Sequence, residues 1–105
     1  MIARIWHGWT TFENVSNYEE LIKEKVFPSI EKKKISGYRK ISLLKRTLKD
    51  EIEFITIMQF DNLNCIKNFM GENYAQSYVP NKARQVLYRY DNMPQHYEIV
   101  DEIRY

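Results

Sequence analysis

The alternation of apolar and polar residues along the chain predicts four β-strands. Residues 1–10 and 52–60 are rich in β-branched and aromatic side chains, which favour extended structure. Residues 37–49 change to a period of two, and residues 93–105 alternate again near the end of the sequence. The polar break at residues 49–51 is short enough for a hairpin between the second and third strands.

Two helices are predicted between these strands. Ser16-Asn17-Tyr18-Glu19 matches a capping box, so the first helix is expected to begin there. Apolar residues then recur on one helical face, at Tyr18, Leu21, Ile22, Val26 and Ile30. Pro28 lies inside this pattern and is expected to kink the helix or to end its first segment. A second, short helix is expected between a cap at Asp61 or Asn62 and Gly71, because glycine suits a helix C-terminus.

The order of these elements is βαββαβ, which predicts a ferredoxin-like α+β fold. In that fold a four-stranded antiparallel sheet carries both helices on one face. Residues 72–90 have no clean period and include Pro80, so we expect an irregular segment with a short helix near residues 82–87. A chain of 105 residues is the size of one domain, so residues 1–105 are expected to fold as a single unit.

The third strand is apolar on both of its faces. One face carries Ile52, Phe54, Met58 and Phe60, and the other carries Ile55 and Ile57. Because two helices cover only one face of a sheet, something else must cover the second face. We expect a second copy of the chain, packed sheet to sheet about a two-fold axis. The alternative is that residues 72–90 fold back over this face.

Composition and charge exclude several classes of protein. The 16 basic and 14 acidic residues give a net charge of +2, too even to indicate a nucleic-acid partner. No apolar run approaches the ~18 residues of a membrane span, and no signal peptide is visible, so a soluble cytoplasmic protein is expected. The single cysteine, Cys65, lies in an apolar helix-like stretch and is expected to be a buried thiol.

Metal and phosphate sites are not indicated by the sequence. The only two histidines are far apart, and no Cys, His or carboxylate cluster has ligand spacing. The three glycines, at positions 8, 37 and 71, cannot form a glycine-rich loop. We therefore expect neither a metal nor a cofactor.

Residues suited to a small-molecule cavity remain, at Arg4, Trp6, His7, Trp9, Tyr74, Tyr78 and His96. His7 or His96 could act as a general base near neutral pH, and Arg4 could stabilise an oxyanion. The aromatic residues would form walls for a planar ligand. The alternative is that these residues have structural roles. The histidines would make hydrogen bonds within the fold, the tryptophans would pack in the core or an interface, and Arg4 would pair with Glu98 across strands.

Three stretches carry a resemblance to a known family: "MIARIWHG", "FMGENYAQSYVP" and "QHYEIV". They resemble the antibiotic biosynthesis monooxygenase (ABM) family of the dimeric α+β barrel superfamily, and the likeness covers nearly the whole chain. It implies a homodimer of ferredoxin-like protomers, each with its own cavity between sheet and helices. Some members oxygenate quinol-type aromatic substrates without metal or flavin, and relatives in the superfamily degrade haem.

The resemblance implies a cofactor-independent monooxygenase acting on a small aromatic, quinol-type substrate. The haem-degrading relatives use an asparagine on the first strand, a tryptophan on the third and a histidine after the second helix. This sequence lacks all three, so haem degradation is the least favoured function, and we expect the chain to purify colourless. The main alternative is a non-catalytic dimeric module of the same fold that binds a small molecule.

Overall fold

The computed structural model describes residues 1–105 and consists of an antiparallel sheet with helices on one face. In chain order the elements are β1 (Ile2–Thr10), α1 (Val15–Leu21), a π-helical turn (Ile22–Val26), α2 (Phe27–Lys32), β2 (Tyr38–Thr47), β3 (Ile52–Phe60), α3 (Leu63–Met70), α4 (Asn81–Val86), β4 (Arg89–Tyr90) and β5 (Gln95–Glu98). The strand order is β2-β3-β1, and both β4 and β5 pair antiparallel with the free edge of β1. The ferredoxin-like α+β fold is therefore confirmed, with its last strand divided in two.

The hydrophobic core lies between the sheet and the helices. Fourteen buried apolar residues form one cluster there. β3 contributes Ile52, Phe54, Met58 and Phe60, as its alternation predicts. None of the helices is both long and apolar enough to cross a lipid bilayer.

No helix of the chain packs on the other face of the sheet. Ile55 and Ile57 of β3 are partly exposed on this open face, and Leu44 of β2 is 43% exposed beside them. The alternative that residues 72–90 fold over the open face is wrong. Their buried side chains, such as Leu87, belong to the core on the helix side.

The first helical segment is continuous from α1 through the π-helical turn to α2. It begins before the predicted capping box, because Asn14 is the N-cap and Ser16 already lies inside the helix. Pro28 stands in the first turn of α2, directly after the wider π-helical turn. A proline ring crowds the carbonyl one turn earlier, so the wider turn accommodates Pro28 without ending the helix.

A β-bulge at Arg39 changes the faces of β2. Tyr38 pairs with Phe60, whereas Lys40 pairs with Gln59, so Arg39 is an extra residue. The period of two predicted for residues 37–49 would place Tyr38 on the face opposite Ile41, which is wrong. The extra residue moves Tyr38 to the helix side, where its ring stacks on Phe60 with centroids 5.3 Å apart.

The last strand is shorter than the predicted residues 93–105. Pro94 has no N–H to donate to a ladder and lies between β4 and β5. β5 ends at Glu98, which pairs with Ile2 at the very start of β1. Residues 99–105 therefore extend beyond the end of β1 and form no strand.

Candidate functional site

The alternation of side chains along β1 divides the predicted site residues into two groups. Arg4 and Trp6 face the helices and border a cavity there, whereas His7 lies on the open face of the sheet. Successive residues of a strand point to opposite faces, so His7 and Trp9 cannot share a side with Arg4 and Trp6.

An apolar cavity lies between the sheet and the helices. It is lined by 14 residues, of which 11 are hydrophobic: Arg4, Trp6, Tyr18, Ile22, Val26, Phe27, Ile30, Ile41, Thr56, Met58, Tyr78, Val79, Pro80 and Ala83. Water can occupy about 50 Å³ of it, several times the ~10–15 Å³ that one water molecule needs. Sites for drug-sized ligands enclose roughly 300–1,000 Å³, so this cavity is too small for a ligand of that size.

The π-helical turn forms one wall of the cavity. Its first and last residues, Ile22 and Val26, are both buried and both line the cavity. Pro80 and Ala83, at the start of α4, form part of the lining as well. A π-helical turn is a frequent feature of functional sites, and the sequence offers only Pro28 as a signal for this one.

Arg4 is the only charged residue that lines the cavity. Its side chain is 3% exposed, and its Nη atoms donate to the carbonyl oxygens of Tyr74, at 2.6 Å, and Gln76, at 2.7 Å. No carboxylate forms a salt bridge with it. Burial lowers the pKa of Arg4 to about 10, which still leaves the guanidinium charged at neutral pH. The cavity therefore borders a buried cation that no acidic side chain neutralises.

His96 holds Arg4 from the neighbouring strand. The two residues are directly opposite in the β1–β5 register, and Nη1 of Arg4 lies 2.9 Å from Nε2 of His96. Because arginine can only donate, Nε2 of His96 must accept, and the imidazole is neutral with its proton on Nδ1. Burial, and then the charge of Arg4, lower the pKa of His96. The lone pair that a general base needs is thus occupied by Arg4 in this arrangement.

Trp6 forms the aromatic wall beside Arg4. Its Nε1–H donates to the Ser77 hydroxyl and to the Asp91 carbonyl oxygen, each at 2.9 Å, which fixes the indole against the segment that follows α3. The indole passes over Gly8, where an added Cβ would lie 2.9 Å from the ring. Gly8 is therefore needed for the position of Trp6.

The two predicted tyrosines have different places. Tyr78 lines the cavity, and its ring packs edge-on against Phe69 with centroids 5.2 Å apart. Tyr74 does not line the cavity, but its carbonyl oxygen accepts from Arg4 and its ring lies 5.9 Å from that of His96. Tyr74 thus supports Arg4 through its backbone.

His7 and Trp9 lie together on the open face. Nδ1 of His7 is 2.8 Å from a carboxylate oxygen of Asp91, and its ring stacks on Trp9 with centroids 5.9 Å apart. Arg89 covers the Trp9 ring at 3.8 Å. The expectation that His7 and His96 line one pocket is wrong. His96 is directly opposite Arg4 in the register, and the side chain of His7 points to the other face of the sheet from Arg4.

Sequence reasoning missed two contacts in this region. Arg4 pairs with His96 rather than with Glu98, because Glu98 is opposite Ile2 in the register. Asp91 is the partner of His7, and no local pattern in the sequence marks it. No group of three or more His, Cys, Asp or Glu side chains is arranged to hold a metal ion.

The stability of the fold should depend on pH through His96. Since the folded-state pKa of His96 is lowered, the unfolded chain binds the proton more readily, and stability should fall as the pH drops below about 6.5. The decrease should level off below the folded-state pKa. Urea unfolding at about pH 7.5 and pH 5.5 measures it.

The matched control for this pH dependence is His96→Gln, whose amide oxygen can still accept from Arg4. The variant should lose less stability than the wild type between the two pH values, because it has no proton to gain at this position. An equal loss in both proteins would show that other groups cause the pH dependence.

Comparison with known proteins identifies the fold. A structure from Bacillus cereus named "Putative Antibiotic Biosynthesis Monooxygenase" is similar over 100% of this chain and 96% of its own, with a TM-score of 0.66 and 12% sequence identity. No protein-family model matches the sequence, and no curated protein does. At this identity the similarity shows an ABM-like fold, and it does not transfer an activity.

Proposed function

We propose that this protein is a cofactor-independent monooxygenase that acts on a small aromatic phenol or quinol in the apolar cavity. The observation that carries the proposal is Arg4, a buried and unneutralised cation at the border of an otherwise uncharged cavity. An ionised phenol is the form of such a substrate that reacts with oxygen, and a nearby cation favours that form. The ABM-like fold is consistent with this activity.

The proposed roles follow from the positions of the side chains. Arg4 stabilises the phenolate oxygen, while Trp6 and Tyr78 hold the ring against the apolar walls of the cavity. One atom of O₂ then bonds to a ring carbon that loses its hydrogen, and the other leaves as water. The ring supplies all four electrons, so a phenol becomes a quinone and no external reductant is needed. The cavity holds about 50 Å³, and a cavity that binds benzene measures roughly 150 Å³, so the proposal is limited to substrates with one ring and requires the walls to move apart on binding.

The proposal includes a homodimer that packs through the open face. The partly exposed Ile55 and Ile57 support it, because a second copy is the simplest cover for a self-complementary apolar surface. The cavity lies on the other side of the sheet, so each protomer would keep its own site. A cytoplasmic location stays a prediction of the sequence.

Oxygen uptake with single-ring phenols and hydroquinones tests the activity. We expect uptake above the rate without protein, and no return of oxygen when catalase is added, because monooxygenation releases water rather than peroxide. Arg4→Met should lower kcat/KM by roughly a hundredfold or more, as expected for loss of an oxyanion contact. Trp9→Phe, on the open face, is the matched control and should keep the wild-type rate.

A non-catalytic binding module is the second candidate function. The observation in its favour is that Nε2 of His96 is occupied by Arg4, so no free histidine base borders the cavity. A binding module would take up the same phenols but consume no oxygen. Ligand binding without oxygen uptake across the panel would therefore select this candidate and reject the monooxygenase.

A further inference from the structure

We propose that the cavity binds phenols as phenolate anions, and that Arg4 rather than a histidine base drives their ionisation. This inference rests on the proposed ligand class and concerns how the site selects and ionises the ligand. It requires no oxygen chemistry. It therefore applies to the monooxygenase and to the binding module alike.

The hydrogen bonds of Arg4 leave part of its donor capacity free. A guanidinium has five N–H donors, and three acceptors in the chain are used: the carbonyl oxygens of Tyr74 and Gln76, and Nε2 of His96. Two N–H donors therefore have no acceptor in the chain. An anionic oxygen in the cavity would supply both an acceptor and the missing countercharge.

Apart from a bound ligand, no group near Arg4 supplies a negative charge. The titratable groups near it and on the cavity walls are His96 from β5, Tyr74 and Tyr78 from the segment after α3, and Tyr18 from α1. Burial raises the pKa of Tyr18, so this phenol stays neutral. Two neighbouring cations add to the positive potential. Nζ of Lys33 lies 4.8 Å from the Tyr78 ring centre, and Nζ of Lys67 lies 5.4 Å from the Tyr74 ring centre.

The histidines are poorly placed to remove a ligand proton. His7 is on the opposite face of the sheet, and the acceptor nitrogen of His96 already receives a hydrogen bond from Arg4. Ionisation must then come from a lowered pKa of the bound phenol, with the proton released to solvent. His96 is a positioning residue, because it orients the guanidinium rather than touching the ligand.

A coloured phenol tests this directly. 4-Nitrophenol absorbs visible light only when it is ionised, so its own absorbance reports its protonation state when bound. At about one pH unit below its free pKa, excess wild-type protein should increase the nitrophenolate absorbance, corresponding to a bound pKa lowered by about one unit or more. No increase in absorbance, whether from neutral binding or from no binding, overturns the inference.

Variants distinguish ionisation caused by the charge of Arg4 from proton removal by His96. Arg4→Met should abolish the absorbance increase, and Arg4→Lys should retain part of it, because lysine keeps the charge without the planar fork. His96→Gln should still bind nitrophenolate and lower its bound pKa, because the glutamine amide oxygen can accept from Arg4 in place of Nε2. Loss of ionisation in His96→Gln with Arg4 intact would instead identify His96 as the base and overturn the inference. Circular dichroism confirms that each variant is folded.

Neutral and carboxylate analogues complete the design. Trp6 borders the cavity and Trp9 does not, so the Trp9→Phe protein reports binding through the fluorescence of Trp6 alone. 4-Nitroanisole, which cannot ionise, should bind at least tenfold more weakly than nitrophenolate. Equal binding of the two, or binding of benzoate without binding of nitrophenolate, would contradict the phenolate site. Oxygen uptake is not read here, so this result and the test of the monooxygenase can fail separately.

Discussion

Analytical ultracentrifugation is expected to give a mass of about twice 12.8 kDa. The reason is the open face of the sheet, where Ile5 and Ile57 are paired across β1 and β3 and both are partly exposed. Leu44, 43% exposed, extends this apolar surface onto β2. Burying such a surface against a second copy contributes roughly 25 cal/mol per Å² of apolar area removed from water.

Ile57→Asp should dissociate this dimer. An unpaired carboxylate buried between two sheets costs several kcal/mol, and each ~1.4 kcal/mol raises the dissociation constant tenfold. Loss of the dimer at micromolar concentration is therefore expected. In the monomer the same side chain is partly exposed, so the fold should survive.

Two further variants make the dimer test specific. Asn17→Asp adds the same charge on the exposed surface of α1 and should leave the mass unchanged. If Ile57→Asp is too unstable to study, Leu44→Glu on the same face of β2 serves in its place. A wild-type protein that sediments as a monomer at micromolar concentration would refute the proposed dimer.

Elements with local signals were predicted well from the sequence. β3 spans the predicted residues 52–60, because a run of β-branched and aromatic residues ends in polar turns on both sides. α3 begins after Asn62, whose side chain accepts from the Cys65 N–H, and ends at Gly71, as its caps predict. In both cases the signal lies within a few residues of the element.

Features that depend on distant pairing were not predictable. The bulge at Arg39 is defined only by the register between β2 and β3, and the period of two contains no sign of it. The end of β5 is set by where β1 begins, since a strand needs a partner to continue. The contact of Arg4 with His96 also depends on this register.

The candidate site shows the same division. The alternation of side chains along β1 can be derived from the sequence alone, and it already places His7 on the opposite face of the sheet from Arg4 and Trp6. The sequence could not predict which side chain lies opposite Arg4, because that depends on the register between the first and last strands. The absence of a carboxylate partner for Arg4, on which the proposed function depends, is likewise visible only in three dimensions.

Gly37→Ala is expected to destabilise the fold severely. Gly37 has a φ of +81°, and an added Cβ would collide with Sγ of Cys65. The left-handed backbone costs an alanine about 1–2 kcal/mol, and the forced contact adds roughly 1–3 kcal/mol. Urea unfolding at a fixed protein concentration should therefore show a loss of about 2–5 kcal/mol.

Two matched variants separate the backbone cost of Gly37→Ala from its packing cost. Gly71 has a φ of +80° but nothing within 4 Å of an added Cβ, so Gly71→Ala carries backbone strain alone. Cys65→Ala removes the sulfur that the new methyl group meets. Because the two sites are in contact, the double variant Gly37→Ala/Cys65→Ala should be less destabilised than the sum of the single variants by about 1 kcal/mol or more. Strict additivity would mean that the sulfur moves aside without cost, and that the tight packing of α3 against the start of β2 does not restrict this position.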